Sequence, residues 1–304
     1  MPKRKTGKSV QIETTTPGAA YDAFLVSRQA AGVTPQTLQY YRVKLQPFIT
    51  WCTGRNLVTV DAITAGHVRA YLVHLQGRGL SPWTVHGAAR AIRAFLRFAT
   101  EDGMLDAAPK FSMPKLPKVK LPAFEAADVA RLLDACDLQR DRLVILVLLD
   151  TGLRAAEFVA LNGGDVDERT GAVQVRQGKG QKDRTVYMGA KTRRELVRYW
   201  RAEGRPAASA PVWASLTTGD RLTHSGLRQL LRRIGDAAGV AHCNPHTFRR
   251  TFSLWSLRGG MDVYVLAALM GHSDIGVLRP YLAIVRHDLR TAHAKHSPVD
   301  RMNK

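Results

Sequence analysis

The sequence predicts a two-domain, mainly helical protein with one small β-hairpin, an α+β class, and three observations carry that expectation. Its 304 residues suit two domains of about 100–200 residues each. Apolar residues recur at helical spacing over most of the chain and give way to strict alternation only near Ala172 and Arg184. Between them the stretch PKFSMPKLPKVKLP, residues 109–122, holds four prolines and four lysines without any period. It reads as an extended basic linker between a helical domain at 17–108 and a second domain at 123–304.

Each element has its own justification. Residues 1–16 carry Lys3, Arg4, Lys5 and Lys8 and no periodicity, a tail that either touches a polyanion or is simply solvated. Ala20, Phe24, Leu25 and Val26 begin the first apolar stripe. Thr34-Pro35 is an N-cap and first-turn pair, followed by Leu38, Tyr41, Leu45, Phe48 and Trp51. Thr64 caps a third helix with Val68, Tyr71, Leu72 and Leu75 inward, and Gly77 and Gly79 end it. Ser81-Pro82 caps a fourth with Val85, Ala88, Ile92, Phe95 and Phe98 inward and Arg90, Arg93 and Arg97 on its other face. Four such helices make a small bundle.

In the second domain, helices are expected at Glu125–Ala135, Arg140–Asp150 and Leu153–Leu161. The middle one, RDRLVILVLLD, is apolar nearly all round and should be the core helix, broken by Gly152. Residues 172–176 and 184–188 alternate around a Gly-Lys-Gly turn and form the hairpin. Further helices are expected at Ala190–Glu203, Ser225–Ala238, His246–Arg258 and Asp262–Met270.

Charge narrows the function. Forty-five Lys and Arg against 25 Asp and Glu give a net +20 and a pI near 10.4, which points to a polyanionic partner, nucleic acid first. Cys52, Cys136 and Cys243 are odd in number and far apart, so they read as small hydrophobes in a reducing compartment. Met1–Gln11 has no leader-like apolar core, and Leu143–Leu149 is too short to span a bilayer. The expectation is a cytoplasmic, nucleoid-associated protein without a membrane partner.

One stretch carries chemistry. NPHTFRRTF (Asn244–Phe252), LMGHSD (Leu269–Asp274) and VLRPYL (Val277–Leu282) place Arg249 three residues after His246 and Tyr281 nine after His272. Breaking a phosphodiester needs a nucleophile, cover for charge on the non-bridging oxygens and a proton for the leaving oxygen. The acidic residues are scattered, with no carboxylate cluster to hold metal ions. Arginine can supply the cover instead, because its planar fork binds two oxygens at once.

TGLRAAEFVAL (Thr151–Leu161), GKGQKDR (Gly178–Arg184), HTFR, GHSD and the terminal tyrosine, in this order and spacing, resemble the tyrosine recombinase or integrase family. Xer-type and phage or transposon integrases are nearest in layout, and the resemblance covers roughly residues 17 to 290. It implies a SAM-like four-helix core-binding domain ahead of a DNA breaking-rejoining catalytic domain. It implies Tyr281 as the nucleophile that forms a 3′-phosphotyrosyl link, with Arg154 and Arg249 on the non-bridging oxygens. Lys179 would protonate the 5′ oxygen, His246 would serve as acid/base, His272 would donate to the phosphate, and Glu157, one helical turn after Arg154, would orient it or its neighbours. Arg90, Arg93, Arg97, Lys115, Lys118, Lys182, Arg184 and Arg250 are the expected DNA contacts. The resemblance further implies duplex DNA with specific sites and a homo-tetramer, with or without a related recombinase, working through a Holliday junction. It implies neither cofactor nor metal.

Three departures from the family pattern stand out. Arg250 replaces a histidine frequent after the second arginine. Gly276-Val277-Leu278 replaces small hydroxyl residues, and Pro280 directly precedes Tyr281, where it would start the tyrosine's helix. Leu282, Ile284, Val285 and Leu289 then form a short apolar stripe that docks either on a neighbouring subunit or on its own domain. Two rival readings are a type IB topoisomerase and a DNA-binding protein with a dead site.

Overall fold

The structure is a computed structural model that describes residues 15–117, 122–176 and 183–271, together with 276, 297 and 299. Expectations for residues 1–14, Lys118, Lys179, Lys182, His272, Pro280, Tyr281 and the stripe 282–289 lie outside the described residues. The chain divides into two compact units, Met1–Val119 and Lys120–Lys304.

The first unit holds α1 (Pro17–Ala30), α2 (Pro35–Thr53), α3 (Ala65–Gly77) and α4 (Pro82–Glu101). All four start the same way. The side-chain oxygens of Thr16, Thr34, Thr64 and Ser81 accept from the backbone N–H groups of Ala19, Thr37, His67 and Thr84, satisfying donors that a helix leaves free. Proline opens α1, α2 and α4, where its missing N–H has no helical acceptor to lose. The bundle core centres on Phe24, fully buried, with ring centroids 4.9 Å from Tyr41 and 5.5 Å from Phe98. Val26, expected in the same stripe, is 66% exposed instead. At two residues beyond Phe24 it is turned about 200° round the helix, so the stripe passes it by.

In the second unit, α5 (Ala126–Asp134) precedes α6 (Gln139–Thr151), whose residues Leu143–Leu148 are all buried. Gly152 then adopts the left-handed conformation (φ 59°) and redirects the chain into α7 (Ala155–Ala160). Strands β1 (Ala172–Val175) and β2 (Arg184–Tyr187) pair antiparallel, with Val173 opposite Val186. After them come α8 (Ala190–Glu203), α9 (His224–Ala237), α10 (Pro245–Arg258) and α11 (Val263–Met270). The core helix α6 packs against both α8 and α10. Residues 205–222, for which the sequence offers no pattern, bring Trp213 flat onto Phe158 at 4.6 Å and pair Pro211 with Asn162. Among the described residues no helix is long and apolar enough to cross a membrane.

Truncating Phe24 to alanine should cost about 3–5 kcal/mol through cavity formation. Urea unfolding followed by circular dichroism would measure it, and a loss below about 1 kcal/mol would remove Phe24 from the centre of that core.

Candidate active site

The local sequence fixes where each side chain of the site stands. Arg154 is the N-cap of α7, two residues after the left-handed Gly152. Glu157, three residues on, returns a carboxylate oxygen (Oε2) to the Arg154 N–H at 2.8 Å, and its Oε1 accepts from Arg154 Nη1 at 2.8 Å. Asn244 caps α10, its Oδ1 accepting from the N–H groups of His246 and Thr247, so that His246 sits in the first turn and Arg249 one turn deeper. Arg249 is 5% exposed. Its Nη1 donates to the Gly152 carbonyl and its Nη2 to the Met270 carbonyl, both at 2.6 Å. One buried guanidinium thereby ties the end of α6 to the end of α11.

Arg184, the first residue of β2, makes the remaining links. Its Nη1 and Nη2 form a two-pronged ion pair with Glu157 at 2.9 and 2.7 Å, and its Nε donates to the Leu269 carbonyl at 2.8 Å. The sequence suggested a DNA contact, yet the side chain is only 11% exposed and all three nitrogens face protein acceptors. Its position on a strand next to a basic turn gave no sign that it points inward.

Three arginines therefore meet consecutive carbonyls at the C-terminus of α11: Arg184 at Leu269, Arg249 at Met270 and Arg154 at Gly271 (3.2 Å). A helix end carries free carbonyls and partial negative charge, which guanidinium groups satisfy on both counts. Gly271 is left-handed (φ 64°), and a Cβ there would lie 3.0 Å from Arg184 Nη1, so a side chain would disturb the cluster. Gly152 is constrained as tightly, because a Cβ would stand 2.3 Å from Phe252 Cδ1.

The electrostatics follow from this packing. Burial alone would raise the Glu157 carboxyl, but hydrogen bonds from Arg184 and from the backbone and side chain of Arg154 outweigh it and hold the pKa at about 2. His246 is exposed as a residue. Partial desolvation of its ring, then the like charge of Arg250 and Arg249, holds it below the ordinary 6.5. Arg250 is half-buried, and its Nε is buried without a hydrogen-bond partner among the described residues.

Four other expected DNA contacts, Arg90, Arg93, Arg97 and Lys115, lie in the first unit and are exposed. Arg90 stacks over Tyr40, Arg93 over Phe111, and Arg97 pairs with Glu101 at 2.7 Å while remaining 77% exposed. Lys115 is exposed as well. Of the six residues assigned to catalysis, the structure brings Arg154, Arg249 and His246 to one region, while Lys179, His272 and Tyr281 lie outside the described residues.

A helical unit followed by a mixed domain, with arginines gathered at one helix end, defines the DNA breaking-rejoining class of fold. Residues 123–292 match the Phage integrase family, and residues 21–103 match the phage integrase N-terminal SAM-like domain. The chain belongs to the phage integrase family and is a site-specific recombinase of the tyrosine type. It is 32% identical to tyrosine recombinase XerD of Pseudomonas aeruginosa over 284 residues, covering 88% of this chain and 93% of that protein. It is 29% identical to tyrosine recombinase XerA of Thermococcus kodakarensis over 288 residues, covering 94% and 98%. Among solved structures, the Tn1549 transposon integrase in complex with a circular intermediate DNA shares the fold. The TM-score is 0.74, the identity 18%, and the coverage 93% of this chain and 98% of that one. A lambda integrase dimer bound to a COC′ core site superposes with a TM-score of 0.71 at 16% identity, covering 88% and 95%.

Replacing Glu157 by glutamine should destabilise the catalytic unit by about 3–5 kcal/mol, because two arginines lose a buried counter-charge. The folded carboxyl titrates at about 2, below its ordinary 4.5, so its stabilisation is complete above pH 4.5 and disappears as pH falls toward 2. Unfolding measured across pH 2–5 should show a flatter acid slope in the variant, and equal slopes would contradict the assignment.

Proposed function

We propose that this recombinase cleaves and rejoins duplex DNA through Tyr281, with Arg154 and Arg249 holding the non-bridging oxygens of the scissile phosphate. The observation that carries this reading is the arginine cluster, in which the Arg154 and Arg184 guanidinium groups share the one carboxylate of Glu157 and retain positive charge for a phosphate. The family and the DNA-bound recombinases of the same fold support the choice of DNA as the polyanion.

The steps balance without a cofactor. Tyr281 Oη attacks phosphorus, its proton passes to neutral His246, and the P–O5′ bond breaks. Lys179 delivers a proton to the departing 5′ oxygen, leaving a 3′-phosphotyrosyl link and a free 5′-hydroxyl. Religation reverses each transfer, the incoming 5′-hydroxyl displacing the tyrosine. A tyrosine of ordinary pKa about 10 needs that base near neutral pH, and an imidazole held below 6.5 is already deprotonated there. Arg154 is partly exposed, and the buried Arg249 meets the Met270 carbonyl beside the Gly271 carbonyl that Arg154 meets, so both guanidinium groups gather at one helix end. His272 then completes the donors to the phosphate, and the exposed Arg90, Arg93, Arg97 and Lys115 run along the DNA backbone.

The working unit we propose is a homo-tetramer on two DNA sites, exchanging strands in pairs through a Holliday junction. An apolar groove of about 740 Å³ lined by Leu149, Val186, Phe252, Trp255, Met261 and Leu269 supports it, since such a groove can receive an apolar segment of a neighbouring subunit.

Incubation with a pool of nicked random-sequence duplexes tests the chemistry, because the released 5′ fragment diffuses away and traps the adduct. Wild-type protein should form a covalent adduct in chelator, and Tyr281→Phe and Arg154→Ala should not, each falling by at least about 10³-fold. No adduct with the wild type, or an undiminished one with Tyr281→Phe, would refute the mechanism. The cleavage rate should also fall on an acid limb centred below pH 6.5, as His246 takes up its proton, and that limb should vanish in His246→Gln. A limb centred above 6.5 would assign the base to another group.

A further inference from the structure

We infer that Arg184 is a positioning residue for the cleavage step, setting the Arg154 guanidinium through the carboxylate of Glu157 and fixing the end of α11 to the same point. The inference rests on the proposed role of Arg154.

The geometry leaves Arg184 no other task. Each Glu157 oxygen accepts one hydrogen bond from Arg184 and one from Arg154, at 2.7–2.9 Å. The carboxylate is therefore a rigid bridge, with the Arg184 fork behind it and Arg154 in front. Glu157 alone, at the N-terminus of a six-residue helix, could rotate about its side-chain torsions and carry Arg154 with it. Held by a planar fork from β2, it has one orientation. The third nitrogen of Arg184 fastens the same fork to the Leu269 carbonyl, beside the Gly271 carbonyl that Arg154 itself meets. Arg154 is thus located from two sides, by Glu157 and by the backbone of Gly271, and Arg184 touches both supports.

Lysine cannot replace this arrangement. Its ammonium is a single point, able to approach Glu157 or Leu269 but not to present three nitrogens in one plane. Arg184→Lys should keep the charge and the fold while releasing the carboxylate to rotate. Gly271→Ala offers an independent disturbance, because its Cβ would press on Arg184 Nη1 without removing any charged group.

The test compares cleavage by the full-length protein on a nicked duplex recovered from the wild-type adduct, in two forms. One carries the ordinary scissile phosphate, and the other a methylphosphonate, in which a methyl group replaces one charged non-bridging oxygen. The neutral linkage needs less guanidinium cover, so a defect in Arg154 placement should shrink on it, whereas a loss of folded protein should not. For Arg184→Lys we expect cleavage of the ordinary substrate to fall at least about 10-fold while duplex affinity changes less than about 2-fold. On methylphosphonate the gap from wild type should close to within about 3-fold, and Gly271→Ala should behave alike. Wild-type rates on the ordinary substrate, or an equal fall on both substrates, would overturn the inference. So would loss of the cooperative unfolding transition in both variants, which would make the cluster a stability element only. Failure of the wild type to form any adduct would overturn the proposed mechanism instead.

Discussion

The second unit depends on one carboxylate placed between two arginines. Glu157 is close to buried, and a lone carboxylate there would lose most of its hydration without return. Three hydrogen bonds from two guanidinium groups and a fourth from the Arg154 backbone N–H reverse that balance and keep it ionised far into acid. The dependence runs both ways. Arg184 is almost as buried as Glu157, and without the carboxylate the two guanidinium groups would face each other across a low-dielectric gap. The cluster holds together because a full negative charge lies in the middle and the partial negative end of α11 lies along one side.

That balance is deliberately incomplete in its charge count. Arg154 and Arg184 bring two positive charges against the single charge of Glu157, and helix carbonyls supply hydrogen-bond acceptors without cancelling a full charge. Backbone carbonyls hold these guanidinium groups in place without cancelling a full charge, which suits the cluster to an incoming anion. A site built from arginine–aspartate pairs would be more stable alone and poorer at receiving a phosphate, since each cation would first have to leave its partner. The backbone anchors also explain two glycines. Gly152 and Gly271 each present a carbonyl to an arginine from a left-handed turn, and each has a neighbour within 3.0 Å of where a Cβ would be.

Much of this was legible in the sequence because the signals are local. A hydroxyl residue before proline marks α2 and α4, apolar spacing marks the buried faces, and an uninterrupted apolar run marks α6 as the core helix. The HTFR and TGLR motifs led to Arg249 and Arg154 for the same reason. What the sequence could not reveal is direction across space. Arg184 follows a basic turn and looks like a DNA contact, yet its acceptors lie 27 and 85 residues away in the chain. Residues 205–222 have no period because they are shaped by Phe158 and Asn162, on which they pack. Val26 continues an apolar run in sequence but leaves the buried face, since three adjacent residues of a helix cannot share one side.

The same positive field that suits the cluster to a phosphate also acts on His246. Partial desolvation, together with Arg250 and Arg249, favours its neutral imidazole, which suits a base but penalises the imidazolium that forms once the base has acted. A phosphodiester bound between the arginines and the histidine reverses that penalty, because its negative charge stabilises the protonated ring. In the proposed reaction, proton removal from Tyr281 is therefore favourable only when DNA is in place. An enzyme that makes a covalent bond to its substrate gains from that coupling. On the mechanism we propose, the nucleophile stays protonated and unreactive in the free protein, and the guanidinium groups that orient the phosphate also decide when the tyrosine can attack.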